Sequence, residues 1–472
     1  MLIGRKQEQA RLLEAYESEY SEFVAVYGRR RVGKTFLVRE TFNYQFTFEH
    51  AGLAHAPLRS QLDSWRSSLV DNGLAKCPRP HTWIEAFDLL KQLIRQSPSS
   101  KKVIFIDEMP WMDTHKSGFV TALEHFWNGW ASGRKDVLLI VCGSATSWII
   151  NKIIKNHGGL HNRVSVKINV KPFTLGECQT YSDSRRLGFT HDLVLQTYMI
   201  FGGIPYYWQK LNHRLSLAQN IDALIFHRDG ELFDEFDQLY ASLFRHPEPY
   251  LKVIKILGTI RAGMTREELI RHGKIADNGN LTRVLNDLES CGFIRKYSSF
   301  AMKTKQAVYQ LIDFYTLFYF KMIAGNNVID RDYWMELQET PTFNTWCGLA
   351  FERVCMSHIE QIKAAIGISG VSTIVYSWFS RDERPTGSGG QIDLVIERKD
   401  QTINLCEIKY SKGSIRLTAE DNASMHNKIA LFRHETKTRD AVRSILIASS
   451  SVVRNAYSDD FQNIVTLDQL FM

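Results

Sequence analysis

The segment FVAVYGRRRVGKTFLVRE (residues 23–40) decides the fold of the N-terminal part of the chain. Its apolar beginning predicts a buried strand, and its last part predicts a helix that begins near Gly33. The turn between them, GRRRVGKT (28–35), has the GxxxxGKS/T spacing of a phosphate-binding loop. In such a loop, glycines let successive backbone N–H groups face an anion, and the helix N-terminus adds partial positive charge.

The side chains of this loop predict how a nucleotide is held. Lys34 is expected to reach the β- and γ-phosphates, and the Thr35 hydroxyl is expected to bind Mg²⁺. The arginines add positive charge near the phosphates, or they face solvent at variable positions. The residues expected to surround the nucleotide are Gly28, Arg29, Arg30, Arg31, Val32, Gly33, Lys34, Thr35 and Phe36. ATP and Mg²⁺ are therefore the predicted cofactors, and an unoccupied loop of a degenerate ATPase is the alternative.

The segment VIFIDEMPW (103–111) predicts a second buried strand that ends in two carboxylates. Because open α/β sheets bind ligands at the carboxyl ends of their strands, both carboxylates are expected near the phosphate loop. Asp107 is expected to hold Mg²⁺ through water, and Glu108 is expected to orient and deprotonate the attacking water. The Asp-Glu order favours ATP hydrolysis over a GTPase switch. The alternative is that the acidic pair caps the following helix.

Two more polar residues are candidates for the same site. Ser144 follows the apolar strand VLLIVCG (137–143), where it is a candidate sensor of the γ-phosphate or the water. Its alternative role is the N-cap of the next helix. Arg163 follows a Gly-Gly loop and is a candidate to reach a γ-phosphate in its own chain or in a neighbouring one. The second possibility leaves a homo-oligomer open.

The pattern of apolar residues predicts an α/β multidomain protein. Residues 1–173 alternate apolar strands with amphipathic helices, which predicts a parallel sheet covered on both faces. Residues 174–243 predict a helical lid. Residues 244–325 predict three short helices and a hairpin, the order of a winged helix-turn-helix. Residues 326–472 predict a helical connector and a C-terminal α/β domain.

The predicted winged helix has residues suited to nucleic acid. The segment NGNLTRVLNDLESCGFI (278–294) supplies a recognition-type helix, and lysines follow in the wing. The candidate contacts with double-stranded DNA are Asn278, Asn280, Thr282, Arg283, Asn286, Lys296, Lys303 and Lys305. Three acidic residues of the same region, Asp277, Asp287 and Glu289, dilute the positive field. Winged helices also dock proteins, so both kinds of partner stay open.

The segment GGQIDLVIERKDQTINLCEIKY (389–410) holds a third set of charged residues. Residues i and i+2 of a strand share a face, so Glu407 and Lys409 are expected to point together, and hairpin pairing is expected to bring Asp393 alongside. Two carboxylates can bind Mg²⁺ near a scissile phosphate, with the lysine positioning water. The alternative is a solvent-facing salt bridge on an antiparallel hairpin.

Several motifs together resemble a known family, the archaeal-type P-loop ATPases of the broad AAA+/STAND group. The motifs that carry the resemblance are IGR (3–5), GRRRVGKT (28–35), FIDEMPWM (105–112), CGSATS (142–147), NRVSVKINVKPF (162–173) and GGIPYY (202–207). The resemblance implies that Ile3, Gly4 and Arg5 lie by the adenine, and that Arg163 acts at the γ-phosphate. It also implies a winged helix followed by an endonuclease-like domain.

The C-terminal segment resembles the PD-(D/E)xK core of restriction endonucleases. This resemblance implies that Glu352, in the preceding helix, joins Asp393, Glu407 and Lys409 in a nuclease-like site. The proline of the motif is replaced by Ile392. Whether such a site retains activity stays open.

Composition sets the class of protein and the compartment. The 44% hydrophobic and 23% charged residues exclude disordered and collagen-like classes. A net charge of +7 permits a nucleic-acid partner without demanding one. None of the seven cysteines forms a CxxC pair, which favours a reducing compartment. No apolar leader or membrane-length run is visible, so a cytoplasmic protein with no membrane partner is expected.

These observations give one leading hypothesis and two alternatives. The leading hypothesis is an ATPase whose nucleotide state controls DNA engagement by the C-terminal half. The first alternative is a STAND-type, ATP-switched signalling platform without a DNA function. The second alternative is an ATP-regulated, metal-dependent nuclease.

Overall fold

The computed structural model describes residues 2–155, 158–244, 246–260, 263–297, 300, 307–325, 333–380 and 390–472. It contains two compact units. The first comprises Met1–Pro172, Ala241–Pro247 and Arg283–Gly292. The second comprises Phe173–Tyr240, Glu248–Thr282 and Phe293–Met472. The predicted wing residues Lys303 and Lys305 lie outside the described residues, and the predicted division into four segments stays a prediction.

A five-stranded parallel sheet forms the centre of the first unit, in the order β2-β3-β4-β1-β5. Its strands are β1 (Glu22–Tyr27), β2 (Phe48–Ala51), β3 (Lys102–Asp107), β4 (Val137–Gly143) and β5 (Val166–Asn169). Every residue of β4 is buried, because a central parallel strand has covered faces on both sides. The predicted parallel sheet is thus confirmed, and β1, β3 and β4 end at the same edge.

Helices of the first unit cover this sheet. They are α1 (Lys6–Glu17), α2 (Lys34–Thr41), α3 (Leu58–Asp71), α4 (Trp83–Gln96), α5 (Phe119–Gly129) and α6 (Thr146–Trp148). Helix α4 begins where the Thr82 side chain accepts a hydrogen bond from the Glu85 N–H, which satisfies a free donor of its first turn. Its apolar residues recur at helical spacing, and Trp83 and Phe87 pack edge-on against Trp65 of α3. These aromatic rings anchor the helical layer to the sheet.

The second unit is mainly helical in its first part. Its helices are α7 (Leu175–Ser184), α8 (His191–Phe201), α9 (Pro205–Gln209), α10 (Leu217–Ile221), α11 (Glu235–Ala241), α12 (Glu248–Leu257), α13 (Arg266–Gly273), α14 (Gly279–Ser290), α15 (Phe314–Phe318), α16 (Tyr333–Leu337), α17 (Pro341–Ser357), α18 (Ile359–Ala365) and α19 (Ala419–Thr436). Helices α11 and α14 cross the unit boundaries.

Shorter helical turns occur in both units. The 3-10 turns are Met109–Met112, Ala131–Gly133 and Leu467–Phe471, and the π-helical turns are Ile149–Ile154, Asp222–Phe226 and Tyr319–Ile323.

Two further sheets complete the second unit. A three-stranded sheet has the order β6-β8-β7, with β6 (Met264–Thr265), β7 (Ile294–Tyr297) and β8 (Val308–Leu311). Strands β7 and β8 are antiparallel, which confirms the predicted strand pair. Helices α12, α13 and α14 precede this hairpin in the order that predicted a winged helix. Assignment to that family stays a prediction.

The C-terminal sheet is mixed, with the order β13-β12-β11-β10-β9. Its strands are β9 (Thr373–Phe379), β10 (Gln391–Arg398), β11 (Thr402–Lys409), β12 (Ala441–Ala448) and β13 (Asn463–Thr466). Strands β9, β10 and β11 pair antiparallel, and β12 and β13 continue the sheet in parallel. The predicted hairpin of the third charged set is therefore β10–β11, while the endonuclease-like assignment stays a prediction. Within the described part of the chain, no helix combines the length and apolar character needed to cross a membrane.

Candidate nucleotide site

The phosphate loop follows β1 and leads directly into α2. Gly28 has φ 140°, and a Cβ atom there would lie 2.3 Å from the carbonyl oxygen of Val170. Gly33 has φ 86°, a left-handed conformation, and α2 begins at the next residue. Both positions need glycine, one for space and one for backbone conformation. The sequence prediction of a strand, a tight turn and a helix is confirmed.

Lys34 lies inside this loop and is only 5% exposed. Its Nζ atom donates to the carbonyl oxygens of Gly28 at 3.0 Å and Arg29 at 2.8 Å. It also lies 3.4 Å from the Ser144 hydroxyl oxygen. A lysine ammonium has three donors and no acceptor, so it can exchange loop carbonyls for phosphate oxygens. Lys34, the residue predicted to bind the phosphates, is therefore held by carbonyl oxygens of the loop itself.

Thr35 and Asp107, the two residues predicted to hold Mg²⁺, lie in direct contact. The Thr35 hydroxyl donates to Oδ2 of Asp107 at 2.6 Å, and Oδ1 accepts the Glu108 N–H at 2.8 Å. Searching the described residues, we find no cluster of three or more His, Cys, Asp or Glu side chains suited to a metal ion. A nucleotide-bound Mg²⁺ needs no such cluster, since it is held by a hydroxyl, one carboxylate and phosphate oxygens. The donor set of Thr35 and Asp107 fits that chemistry.

Glu108 and Ser144 face each other across the ends of β3 and β4. The Ser144 hydroxyl donates to Oε1 of Glu108 at 2.5 Å, and the Ser144 N–H donates to Oε2 at 3.2 Å. Neither side chain caps the helical turn that follows it, because the Glu108 side chain makes no capping bond and Ala145 is the N-cap of α6. Glu108 has φ 45°, a left-handed conformation that is strained for a residue with a Cβ atom. The arrangement holds the carboxylate at the ligand-binding edge of the sheet.

Three residues of this edge were missed by the sequence reasoning. Cys142 is fully buried, and its pKa is raised well above the usual range, first by burial and then by the charge of Asp107. A Cβ atom on Gly143 would lie 2.6 Å from Cδ of Pro110. A Cβ atom on Gly52 would lie 2.6 Å from the carbonyl oxygen of Glu108. The sequence offered one indication of their importance, because Cys142 and Gly143 stand at the end of an apolar strand.

The segment implied to lie by the adenine is brought next to the loop. Arg5 is 6% exposed, and its Nη2 atom donates to the carbonyl oxygen of Val32 at 3.3 Å. Ile3 is buried, and Gly4 has φ 62°. These contacts join residues 3–5 to the phosphate loop, although their role toward adenine stays a prediction.

Other predicted residues are placed differently. The Arg30 guanidinium donates to the carbonyl oxygen of Ser242 at 3.4 Å, and Phe36 is 43% exposed. Arg163 is exposed, so its predicted contact with a γ-phosphate stays a prediction. The segment VSVKINVKPF (164–173) has the pattern of a strand, but β5 covers only Val166–Asn169 of it.

The end of helix α14 belongs to the same unit as the phosphate loop. Cys291, the residue directly after α14, is 2% exposed. Burial raises the pKa of Cys291 to about 12, and the positive charges of Lys34 and Arg29 oppose that rise. A residue of the predicted recognition helix thus lies within electrostatic range of the nucleotide loop.

The charged residues of the C-terminal hairpin have partners in the second unit. Gln391 donates to Oδ1 of Asp393 at 2.7 Å. Lys428 of α19 donates to Oε2 of Glu407 at 2.7 Å, and Lys409 donates to Oδ1 of Asp421 at 2.5 Å. Glu352 is buried on α17, as expected for a residue facing the interior. The grouping of Asp393, Glu407, Lys409 and Glu352 into one nuclease-like site stays a prediction.

The chain is similar to one curated protein and to several solved structures. Over 422 residues, it is 24% identical to the uncharacterized protein MJECL04 of Methanocaldococcus jannaschii, with 87% of this chain and 88% of that protein covered. The Walker-type ATPase of Pyrococcus abyssi is 16% identical, with 67% and 95% of the two chains covered and a TM-score of 0.48. The ORC2 protein of Aeropyrum pernix is 14% identical, with 66% and 90% covered and a TM-score of 0.41.

The family comparison concerns the part of the chain that carries the loop. Residues 2–211 match the family described as an ATPase domain predominantly from Archaea. This range contains the parallel sheet, the phosphate loop, Asp107 at the end of β3 and Glu108 directly after it. This part of the chain is therefore similar to archaeal-type ATPase domains.

Proposed function

We propose that this protein binds ATP with Mg²⁺ and hydrolyses it to ADP and phosphate. The observation that carries the proposal is the set of contacts linking Lys34, Ser144 and Glu108, beside the Thr35–Asp107 pair. Lys34 binds the β- and γ-phosphates after leaving the loop carbonyls. Thr35 and Asp107 hold Mg²⁺, which neutralises the charge on the phosphate oxygens.

Glu108 is the proposed general base. Water attacks the γ-phosphorus, a new P–O bond forms, and the bond to the β,γ-bridging oxygen breaks. Glu108 takes the proton of the water, and ADP leaves with the bridging oxygen. Ser144 fixes both carboxylate oxygens of Glu108, so the base is oriented before the substrate arrives.

The second part of the proposal is that the nucleotide state controls DNA engagement. The residues of α14 that support it are polar and exposed: Asn280, Thr282, Arg283 and Asn286. On the other face of the same helix, Leu281, Val284, Leu285 and Leu288 are buried, which fixes the direction of the polar face. Exposed amides, hydroxyls and a guanidinium suit contacts with phosphates and base edges.

The rate of phosphate release with and without double-stranded DNA tests both parts. Release that requires Mg²⁺ supports the ATPase, and acceleration by duplex supports the link to DNA. No phosphate release under any condition contradicts the first part. Release that is indifferent to duplex contradicts the second part alone.

One observation favours a second candidate, a nucleotide-switched protein platform. Residues 283–292, which include the end of α14, belong to the same compact unit as the phosphate loop, and the charges of Lys34 and Arg29 act on the pKa of Cys291. In this case, α14 would respond to ATP binding, and its polar face would bind a protein. Phosphate release that ignores duplex, together with nucleotide-dependent capture of a protein partner, would favour this candidate.

The third hypothesis, a metal-dependent nuclease, rests on the hairpin β10–β11. Its test is incubation of supercoiled plasmid with Mg²⁺ or Mn²⁺. Nicking by the parent protein and loss of nicking in Asp393→Ala would support it. Equal nicking by both proteins would assign the activity elsewhere.

A further inference from the structure

A small cavity lies within the second unit, where the end of α12, strand β8, α15 and α17 come together. Its volume is about 100 Å³. Most of its wall is apolar and is formed by Leu257, Leu311, Leu317, Leu349 and Ala350. A water molecule takes up roughly 30 Å³ and a CH₂ group about as much, so the cavity has room for about three or four such groups. An apolar wall of this kind favours a short hydrocarbon chain over water.

The polar part of the same wall is positively charged. Lys321, in the π-helical turn after α15, and Arg353 of α17 both line the cavity. Lys321 is exposed and Arg353 is buried, so positive charge extends from the surface into the cavity. None of the lining residues that the structure describes is acidic. This charge favours an anionic group on an apolar ligand and disfavours a cationic one.

The wall also includes a hydrogen-bond donor that has no acceptor within the described part of the chain. Trp346 lines the cavity and is 3% exposed, and its Nε1 atom has no hydrogen-bond partner there. The Trp346 ring centre lies 5.4 Å from that of Phe318 and 5.5 Å from that of Phe343, so the indole is held in place by its neighbours. A buried N–H without an acceptor is unfavourable, so a ligand that accepts this hydrogen bond gains affinity.

The end of α12 opposes an anion less than a bare helix end would. The carbonyl oxygens of Ile254, Ile256 and Leu257 accept hydrogen bonds from the N–H groups of residues 258–260. The Thr259 hydroxyl also donates to the carbonyl oxygen of Ile256 at 2.8 Å. Because these acceptors are occupied, they carry less of the negative charge that the last turn of a helix presents to a ligand.

We propose that this cavity binds a small aliphatic carboxylate with a chain of about four carbons. The chain lies against the leucine side chains, and the carboxylate accepts hydrogen bonds from Lys321 and from the indole N–H of Trp346. Arg353 adds positive charge from the buried part of the wall. The bound acid contacts α12, the turn after α15, and α17 at once, so it acts as an effector that fixes these elements together. The site uses no residue of the phosphate loop and does not depend on ATP hydrolysis.

A series of straight-chain acids tests the fit of the cavity. Binding of acetate, propionate, butyrate, pentanoate and heptanoate to the full-length protein is measured by ligand-observed NMR. Affinity should rise about fourfold for each added CH₂ group up to pentanoate, and heptanoate should gain nothing more because the cavity is then full. Pentylamine has the same chain and the opposite charge, so it should bind more weakly than pentanoate. Absence of pentanoate binding, or equal affinities for pentanoate and pentylamine, overturns the proposal.

Three variants test the named contacts, with pentanoate as the probe. Lys321→Gln should lower the affinity about threefold or more, whereas Lys255→Gln, at an exposed position of α12, is the matched control and should bind like the parent. Trp346→Phe keeps an aromatic ring but removes the N–H, and it should lower the affinity about tenfold or more. Ala350→Leu fills the cavity and should abolish binding, and urea unfolding shows whether each variant is folded. Parental affinity in Lys321→Gln or in a folded Trp346→Phe overturns the proposal.

Discussion

The Ser144 hydroxyl donates a 2.5 Å hydrogen bond to Oε1 of Glu108, and the Ser144 N–H reaches Oε2 of the same carboxylate at 3.2 Å. Both carboxylate oxygens are therefore fixed from the end of the neighbouring strand. Lys34 lies 3.4 Å from the same hydroxyl, so one serine connects the amine proposed to bind phosphate with the proposed base. Through this serine, we expect a change at the bound phosphates to reach Glu108.

Removing the Lys34 ammonium should weaken ATP binding. We expect Lys34→Ala to lower the affinity for ATP–Mg²⁺ tenfold or more, or about 1.4 kcal/mol, because it removes the cation expected at the β- and γ-phosphates. Calorimetric titration of parent and variant measures the change. Lys167→Ala, at an exposed position of β5, is the matched control and should bind like the parent. Equal affinities of Lys34→Ala and the parent would remove the phosphate-binding assignment.

Removing the Ser144 hydroxyl should slow turnover more than it weakens binding. Ser144→Ala keeps the backbone N–H on Glu108 but deletes a hydrogen bond to a charged group, which is worth about 1.5–3 kcal/mol. We expect kcat to fall about tenfold or more, with a smaller change in KM. Steady-state phosphate release measures both constants, and Ser132→Ala serves as an exposed serine control. An unchanged kcat would show that the serine does not orient the base.

The stability of the first unit should depend on pH through His50. This side chain is 3% exposed, and burial lowers its pKa to about 4. Its Nε2 atom has no hydrogen-bond partner among the residues that the structure describes. The folded state therefore resists protonation, so the stability is complete above the unfolded pKa near 6.5 and is lost as the pH falls toward 4. Between pH 7 and pH 5, the loss should be about 2 kcal/mol.

Urea unfolding at both pH values measures this dependence. In His50→Gln, the free energy of unfolding should lose about 2 kcal/mol less between pH 7 and pH 5 than in the parent. His115→Gln, at an exposed position, should show the same pH dependence as the parent. The same pH dependence in His50→Gln and the parent would mean that another group controls the acid sensitivity.

Binding to duplex DNA should be sensitive to salt and to Arg283. Phosphate contacts displace counterions, so affinity should fall steeply between low and moderate salt. Arg283→Ala should weaken binding at every sequence tested and reduce the salt slope by about one. Anisotropy of labelled duplex measures affinity and slope, with Arg439→Ala as the exposed arginine control. Absence of binding at low salt would favour the protein platform.

The sequence predicted the features that are set by local spacing. The strand, turn and helix around GRRRVGKT follow from glycine conformation and apolar periodicity, and the acidic end of β3 follows from its apolar run. The position of Asp107 near the phosphate loop was also expected, because strands β1 and β3 end at the same edge of a parallel sheet, whereas its direct hydrogen bond with Thr35 was not predicted.

Features that depend on tertiary packing could not be predicted. Nothing near Cys291 in the sequence indicates that the end of α14 packs in the same unit as the phosphate loop. The E-x-K spacing places Glu407 and Lys409 on one face, but it does not reveal that α19 supplies partners to both. Such pairings depend on how a distant helix packs, and periodicity carries no information about them.

The central claim is that Glu108 is the base for ATP hydrolysis. Glu108→Gln keeps the size of the side chain, and its amide oxygen can still accept a hydrogen bond from Ser144, but it cannot take a proton. Single-turnover phosphate release, measured beside ATP affinity, separates chemistry from binding. We expect release to fall at least about a hundredfold, the usual scale for loss of a general base, while affinity stays within about twofold of the parent. Parental release by Glu108→Gln would contradict the account.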